Sequence, residues 1–229
     1  MKAITPLVIA GLLVINSFNV KKEKVYFAKK QAGIDVNKGP DWSAAQKLTD
    51  FSYPWRAETP SATAFQAVWD EHNFWFRFEV EDDHILVYRD RDLKEEVVYS
   101  DRVEIFFKKD DEMTPYFCLE MDPLSRVLDY DAHFYRKVNF GWKWPDNGLS
   151  VKGSKTDAGY IVEGSISLAS LEKLEILKEG KLLAGLFRGE CVALNGKNAD
   201  LRWISWVDPK TERPDFHVPS AFGVIALVE

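Results

Sequence analysis

Three irregular segments of the 229-residue sequence carry the side chains with the most distinctive chemistry. Residues 140–147 read Phe-Gly-Trp-Lys-Trp-Pro-Asp-Asn, residues 208–220 hold three prolines beside Phe216 and His217, and residues 82–101 are rich in acids and arginines. A pyranose ring stacks its apolar C–H face on an aromatic ring, and its hydroxyls hydrogen-bond with carboxylate, amide and guanidinium groups. Because loops on a rigid scaffold often carry binding residues, these segments favour the hypothesis that the chain binds a sugar.

Each aromatic side chain has an alternative place in the hydrophobic core. Trp69, Trp75 and Trp203 lie in runs where apolar and polar residues alternate, and this context favours core packing. Core packing and ligand contact stay equally open for three rings in loop-like contexts, namely Trp142, Trp144 and Phe216.

Carboxylate pairs raise the alternative of a glycoside hydrolase. Hydrolysis of a glycosidic bond uses two carboxyl groups about 5–10 Å apart across a cleft, and Glu104, Glu120 and Asp129 are candidates. With 36 acidic residues in the chain, such candidates arise without any catalytic role. The sequence has no Gly-x-Ser-x-Gly, His-Glu-x-x-His or Walker motif. It therefore favours binding over catalysis.

Haem and calcium are two further ligands to weigh. A β-sandwich can hold haem between a Met and a His, although core methionines and surface histidines are the commoner explanation. The residues concerned are Met113, Met121, His84, His133 and His217. Two acidic pairs have the oxygen ligands that Ca²⁺ prefers, although solvated acidic loops are commoner: Asp129 with Asp131, and Asp82 with Asp83.

Composition and charge narrow the functional classes. Hydrophobic residues make up 46% of the chain, which is enough for a substantial core. The 36 acidic and 30 basic residues give a net charge of −6, which argues against a nucleic-acid partner. Two distant cysteines exclude a disulfide-dense scaffold. Cys118 and Cys191 either pair in an oxidising compartment or remain buried thiols.

The N-terminus has the features of an export signal. Lys2 precedes an apolar run over residues 3–15, which is too short to cross a bilayer but fits the core of a signal peptide. No cysteine near residue 20 is available to accept a lipid. We therefore expect residues 1–20 to be cleaved, and residues 21–229 to form a secreted or periplasmic domain without a membrane span.

Alternating hydrophobicity predicts an all-β fold. Residues 63–80 form two alternating runs joined by Asp70-Glu71-His72-Asn73, which is the pattern of a β-hairpin. The alternation recurs along much of the chain, whereas helical spacing is limited to residues 41–48 and 168–177. Many short strands without alternating helices predict an antiparallel β-sandwich of jelly-roll type with one or two short helices.

Several motifs, taken in order, are similar to those of the family 9 carbohydrate-binding modules. The similarity extends over about residues 24–229, and it depends on the order and spacing of the motifs rather than on any one of them. It implies a jelly-roll β-sandwich that binds carbohydrate without catalysis. The motifs are Val25-Tyr26-Phe27-Ala28, Asp41-Trp42-Ser43-Ala44-Ala45, Ala67-Val68-Trp69-Asp70 with Phe74-Trp75-Phe76, Ser100-Asp101-Arg102-Val103-Glu104-Ile105-Phe106-Phe107, Gly159-Tyr160-Ile161-Val162-Glu163, Ile204-Ser205-Trp206 and Pro219-Ser220-Ala221-Phe222-Gly223.

The resemblance also implies which residues form the site. Members that bind sugar clamp the ring between two tryptophans, with a glutamate, an arginine and amides on the hydroxyls. In this sequence the glutamate is Glu104, the first clamp position is Val98 beside Tyr99, and the second is Phe216. The family arginine falls near Cys118 and is absent, so Arg188 is the candidate guanidinium.

The full set of predicted binding residues is therefore Tyr99, Glu104, Trp142, Trp144, Arg188, Phe216 and His217. The expected ligand is a mono- or oligosaccharide derived from plant or other polysaccharides. Structural calcium is common in the family, and a glycoside hydrolase or a glycan importer is the expected partner.

Overall fold

The computed structural model describes residues 23–229, so the predicted signal peptide at residues 1–20 lies outside the described part of the chain. The structure is mostly β, as the alternation predicts. The strands are β1 (Val25–Lys30), β2 (Thr63–Trp69), β3 (Asn73–Glu81), β4 (Arg102–Lys108), β5 (Tyr116–Met121), β6 (Val127–His133), β7 (Lys137–Asn139), β8 (Leu149–Thr156), β9 (Gly159–Ser167), β10 (Lys181–Asn195), β11 (Asn198–Ser205) and β12 (Gly223–Val228).

The strands form one curled sheet that closes into a β-sandwich. The order across the sheet is β7-β6-β5-β4-β10-β12-β1-β2-β3-β9-β8, and β11 pairs with the far end of β10. The predicted hairpin is confirmed, because β2 and β3 pair antiparallel with Phe65 opposite Phe78.

Strand β1 departs from the predicted antiparallel pattern, because it pairs parallel with both β12 and β2. Two parallel neighbours in sequence need a long crossover between them. The segment between Lys30 and Thr63 supplies this crossover.

The main core lies between the two halves of the curled sheet. One half contributes Ile105 and Leu119 from β4 and β5, and the other contributes Phe76 and Val162 from β3 and β9. All four side chains are fully buried. Burying a large apolar side chain contributes about 1.5–3 kcal/mol each, so this layer is the principal source of stability.

A second apolar cluster covers the opposite face of β4, β5 and β10. It includes Phe106, Cys118 and Phe187, and the irregular segment 206–222 covers it with Phe216. Strands β4 and β5 are therefore buried on both faces along their whole lengths. Since a strand that is covered on one face alternates in burial, this pattern shows that the 206–222 segment is part of the folded structure.

Helix is scarce among residues 23–229. Helix α1 (Leu168–Lys173) lies within the predicted 168–177 segment, and the Ser167 side chain caps it by accepting a bond from the Ser170 N–H. The predicted helix at residues 41–48 is shorter than expected. It is a 3-10 turn at Trp42–Ala44 with Asp41 as its cap.

Cys118 and Cys191 are both buried and unpaired, which settles the choice that the sequence left open. Burial raises the pKa of the Cys191 thiol to about 11, so it is protonated at neutral pH. Among residues 23–229, no helix is long and apolar enough to cross a membrane.

Candidate functional site

A cavity of about 150 Å³ opens on the outer face of β4, β5 and β10, beneath the 206–222 segment. We call it the Glu104 cavity. At its base, the strand register places Arg102 of β4 opposite Gly189 of β10. It also places Glu104 of β4 opposite Glu120 of β5. The lining residues are Arg102, Glu104, Phe106, Glu120, Arg136, Trp203, Pro214, Asp215, Phe216 and His217.

Two carboxylates share one guanidinium at the base of the cavity. The Arg102 Nε atom lies 2.8 Å from Glu104 Oε1 and 2.7 Å from Glu120 Oε2. All three side chains are less than a tenth exposed. The Tyr130 hydroxyl donates to Glu120 at 2.9 Å, and Arg102 Nη1 donates to the carbonyl of Val98 at 3.0 Å. The buried carboxyls therefore have one cation and further hydrogen-bond partners near them, as buried charges require.

Burial beside a second carboxyl makes Glu104 unusually weak as an acid. Burial raises the pKa of the Glu104 carboxyl to about 8, with a further contribution from neighbouring Glu120, although Arg102 acts in the opposite direction. One of the two carboxyls therefore keeps a proton at neutral pH. The pair can then donate one hydrogen bond and accept others, as a sugar hydroxyl requires.

Aromatic rings form one wall of the cavity. Phe216 stacks on Phe187 with ring centroids 4.0 Å apart, and Trp203 meets Phe216 edge to face at 5.7 Å. The Arg102 guanidinium lies 5.1 Å from the Trp203 ring centroid. Gly189 makes this contact possible, because a Cβ atom there would lie 3.0 Å from Arg102 Nη1.

His217 lies beside the aromatic wall as a neutral base. Burial, followed by the charge of Arg136, lowers the pKa of the imidazole to about 4, whereas Asp215 acts in the opposite direction. Its Nδ1 atom is hydrogen-bonded to the Tyr116 hydroxyl at 2.8 Å. At neutral pH the ring is therefore uncharged and contributes a hydrogen-bonding group to the cavity.

Asp215 fastens the rim of the cavity. It accepts bonds from the Tyr135 hydroxyl at 2.5 Å, from Arg136 at 2.8 Å and from the His217 backbone N–H at 2.9 Å. The first two donors follow β6, so Asp215 joins the 206–222 segment to the β6–β7 turn.

Three of the predicted binding residues meet in this cavity, namely Glu104, Phe216 and His217. Arg188 does not. Its neighbour Phe187 shares a face with Glu104, so Arg188 points to the opposite face of β10. There it is fully buried and pairs with Asp82 at 2.9 Å. The guanidinium in the Glu104 cavity belongs to Arg102 instead.

The other three predicted residues also lie away from the Glu104 cavity. Trp144 is buried in the main core, where its indole N–H donates to Ser170 at 2.9 Å. Trp142 packs against the same core beside Phe117. Tyr99 is half-buried and meets Tyr88 edge to face.

The residues of the alternative ligand sets lie in several parts of the fold. Asp129 accepts bonds from Lys94 and from the Trp144 N–H, and Asp82 pairs with Arg188, so one carboxylate of each predicted calcium pair is engaged by protein groups. Among residues 23–229, no cluster of three or more His, Cys, Asp or Glu side chains could hold a metal ion. Of the residues weighed for haem, Met121 lies in the main core, Met113 lies in the second apolar cluster near His217, and His84 and His133 are exposed.

Comparison with known proteins identifies the family of this chain. The model of the carbohydrate family 9 binding domain-like family matches residues 34–229. The chain belongs to this family. The resemblance predicted from the motifs is therefore confirmed, and so is the β-sandwich fold.

Several known proteins are similar to this family-9-like chain in sequence or in structure. Exoglucanase XynX of Acetivibrio thermocellus is 24% identical over 186 residues, which are 81% of this chain and 15% of that protein, so the chain spans a small part of that relative. A Bacteroides uniformis protein proposed to bind carbohydrate has a TM-score of 0.62 at 15% identity and covers 90% of this chain and 99% of its own.

A family 9 module from Caldicellulosiruptor kristjanssonii is also similar in structure. It has been solved in complex with cellotriose and with glucose, in each case with a TM-score of 0.56 at 15% identity. The alignments cover 90% and 89% of this chain and 94% and 95% of the module.

Sequence reasoning missed Arg102, Trp203 and the Arg136–Asp215 rim as groups of the site, and it weighed Glu120 only as a catalytic carboxylate. A signal existed for Arg102, because it lies two residues before Glu104 in a strand and must share its face. Glu120 and Trp203 depend on strand register, which the sequence of this family-9-like chain does not encode locally.

Proposed function

We propose that this family-9-like chain binds a neutral sugar unit in the Glu104 cavity without chemical turnover. The observation that carries this proposal is the Arg102–Glu104–Glu120 cluster beside the half-buried Trp203 ring, on one open face of the sandwich. Trp203 offers an apolar surface for the C–H face of a pyranose. The cluster offers charge-assisted hydrogen bonds to hydroxyls.

The size of the cavity favours one sugar unit inside it. Its volume of about 150 Å³ is below the roughly 300–1,000 Å³ of sites for drug-sized ligands. The module from Caldicellulosiruptor kristjanssonii was solved with glucose and with cellotriose. We therefore take glucose and cello-oligosaccharides as the first ligands to test, with any further units extending over the Asp215 rim.

The test is isothermal titration calorimetry with glucose, cellotriose, xylotriose and mannotriose. We expect at least one of these to bind, and we expect Trp203→Ala or Glu104→Gln to weaken that binding about tenfold or more, because each removes a direct contact. Phe216→Ala tests the wall that supports Trp203.

Two variants on other surfaces serve as controls. Glu79→Gln changes an exposed carboxylate on β3 that pairs with Lys47. Trp69→Phe removes an indole that donates to the Val228 carbonyl, far from the Glu104 cavity. Equal loss in the controls and in the Glu104-cavity variants, or no heat with any sugar, would refute the proposal.

The paired carboxylates keep glycoside hydrolysis as a second candidate function. A hydrolase would need space between its two carboxyls for the glycosidic bond, whereas Glu104 and Glu120 both contact the same Arg102 nitrogen. We therefore expect no release of nitrophenol from aryl glycosides. Turnover that is abolished in Glu104→Gln would establish the hydrolase instead.

Export and partnership are also part of the proposal. The apolar run near the N-terminus supports secretion or periplasmic export, and the match to part of an exoglucanase supports a role beside a glycoside hydrolase or a glycan importer. N-terminal sequencing of the protein recovered outside the cytoplasm should find a start near residue 21. Retention of Met1 with the protein inside the cytoplasm would contradict it.

A further inference from the structure

A second, larger groove lies on the outer face of the other half of the sheet. Its volume is about 350 Å³. Across β3, β9 and β8 the register aligns Trp75 with Ser165, and Ser165 with Ser150. These side chains point away from the main core, because the alternate positions Phe74, Phe76 and Ile166 point into it. We call this the Trp42 groove, after the residue on its wall.

The wall of the Trp42 groove is anchored without using the Trp42 ring. The Gln66 side-chain amide donates to the carbonyls of Trp42 at 2.8 Å and Ala45 at 3.2 Å. Gln31 exchanges bonds with the Asp41 backbone at 3.1 and 3.4 Å. Among residues 23–229, no hydrogen bond or ring contact involves the Trp42 indole, which is partly exposed toward the groove.

Polar side chains of the groove are likewise unused. In the described part of the chain, no hydrogen bond or ion pair engages the side chains of Asn73, Ser150, Ser165 and Lys152. Glu163, which also lines the groove, lies 3.9 Å from Arg77. A partly exposed indole ring whose N–H has no protein partner thus lines the same groove as amide, hydroxyl and ammonium groups. Such a combination of apolar surface and convergent polar groups is typical of a ligand site.

We propose that the Trp42 groove is a second carbohydrate site, which binds a neutral oligosaccharide against the Trp42 ring. The occupant is a glycan because the groups of the groove that lack a protein partner match a sugar: the ring matches a pyranose face, and the amide, hydroxyls and ammonium match its hydroxyls. The proposal rests on the proposed function only for the class of ligand. The two sites share no residue.

The experiment is a titration followed by the indole N–H signals in ¹H–¹⁵N spectra. The chain has 8 Trp, and Trp→Phe variants assign the signals of Trp42, Trp75, Trp203 and Trp69. The probes are cellotriose, xylotriose and mannotriose. With at least one probe we expect the Trp42 signal to shift to saturation in wild type and in Glu104→Gln alike. Trp42→Ala should weaken binding at the groove about tenfold, which the signal of Trp75 reports.

The two proposals fail in different ways. If the Trp203 signal shifts and the Trp42 signal does not, the second site is refuted and the first stands. If the Trp42 signal alone shifts, the second site stands and the proposed function of the Glu104 cavity is refuted. Silence of both signals with every probe refutes both. The Trp69 signal should stay constant, and its movement would show a general change in structure instead of binding at the groove.

Discussion

At the residue scale, the chemistry of the Glu104 cavity depends on a proton shared between two carboxyls. Because burial raises the pKa of Glu104 to about 8 from 4.5, the folded state holds a proton that the unfolded state releases. Its contribution to stability is complete below about pH 4.5 and is lost as the pH rises to about 8. We predict that Glu104→Gln makes the free energy of unfolding less dependent on pH over this range.

Urea denaturation between pH 5 and pH 9 measures this effect, which for one proton is at most about 1.4 kcal/mol per pH unit. Asp101 changes the stability in the same direction as Glu104, since burial raises its pKa to about 7. His217 acts in the opposite direction. Because its pKa is lowered in the folded state, it destabilises the fold as the pH falls below about 6.5. The comparison of Glu104→Gln with wild type isolates Glu104. Parallel pH profiles would show that Glu104 is ionised throughout.

The Arg102 guanidinium is the group that makes two neighbouring buried carboxyls tolerable. We predict that Arg102→Met lowers the free energy of unfolding by about 3–5 kcal/mol, because it removes the shared partner of Glu104 and Glu120. The triple variant Arg102→Met, Glu104→Gln, Glu120→Gln should recover much of that loss. Urea denaturation of both variants provides the measurement. An Arg102→Met protein as stable as wild type would show that the cluster is not charged in the way described.

At the element scale, alternation predicts which residues of one strand share a face. It does not predict which residues of another strand lie beside them in the sheet. The pattern in β4 places Arg102, Glu104 and Phe106 together, and this much was readable from the sequence. Arg188 lies away from the Glu104 cavity for a reason of register. Because Phe187 lies opposite Glu104, the next residue must point to the other face, and pairing between β10 and β4 spans about 80 residues of chain.

Asp215 fastens the 206–222 segment to the β6–β7 turn at the rim of the Glu104 cavity. We predict that Asp215→Ala weakens sugar binding by about tenfold while lowering the melting temperature by only a few degrees. Asp215 orders the rim through Tyr135 and Arg136, but it is not in either apolar cluster. Calorimetric titration and thermal unfolding measure the two effects, with the exposed Asp157→Ala as the control. A loss of stability as large as the loss of binding energy would instead make Asp215 a folding residue.

At the scale of the whole molecule, the curled sheet has two outer faces, and different connecting segments lie on them. The 206–222 segment covers β4, β5 and β10 and leaves the small Glu104 cavity, whereas the 36–42 segment stands beside β3, β9 and β8 and leaves the open Trp42 groove. The sequence predicted the layers of this fold, because each face of a strand leaves a periodic trace. It did not predict how the long connections lie on those faces, since loops of mixed composition carry no period.

The net charge of the whole molecule bears on whether the ligand is a neutral sugar or a polyanion, because the two kinds of binding respond differently to salt. The net charge is −6, and a neutral sugar releases no counterions when it binds. We predict that the affinity for the sugar identified by calorimetry changes less than twofold between about 50 and 500 mM NaCl, because the cluster it contacts is buried and weakly screened. Binding to a polyanion would instead weaken steeply with salt. Heparin is the comparison probe, and we expect no binding to it even at low salt. A steep salt dependence for the sugar would mean that long-range charge, and not stacking with direct hydrogen bonds, holds the ligand in place.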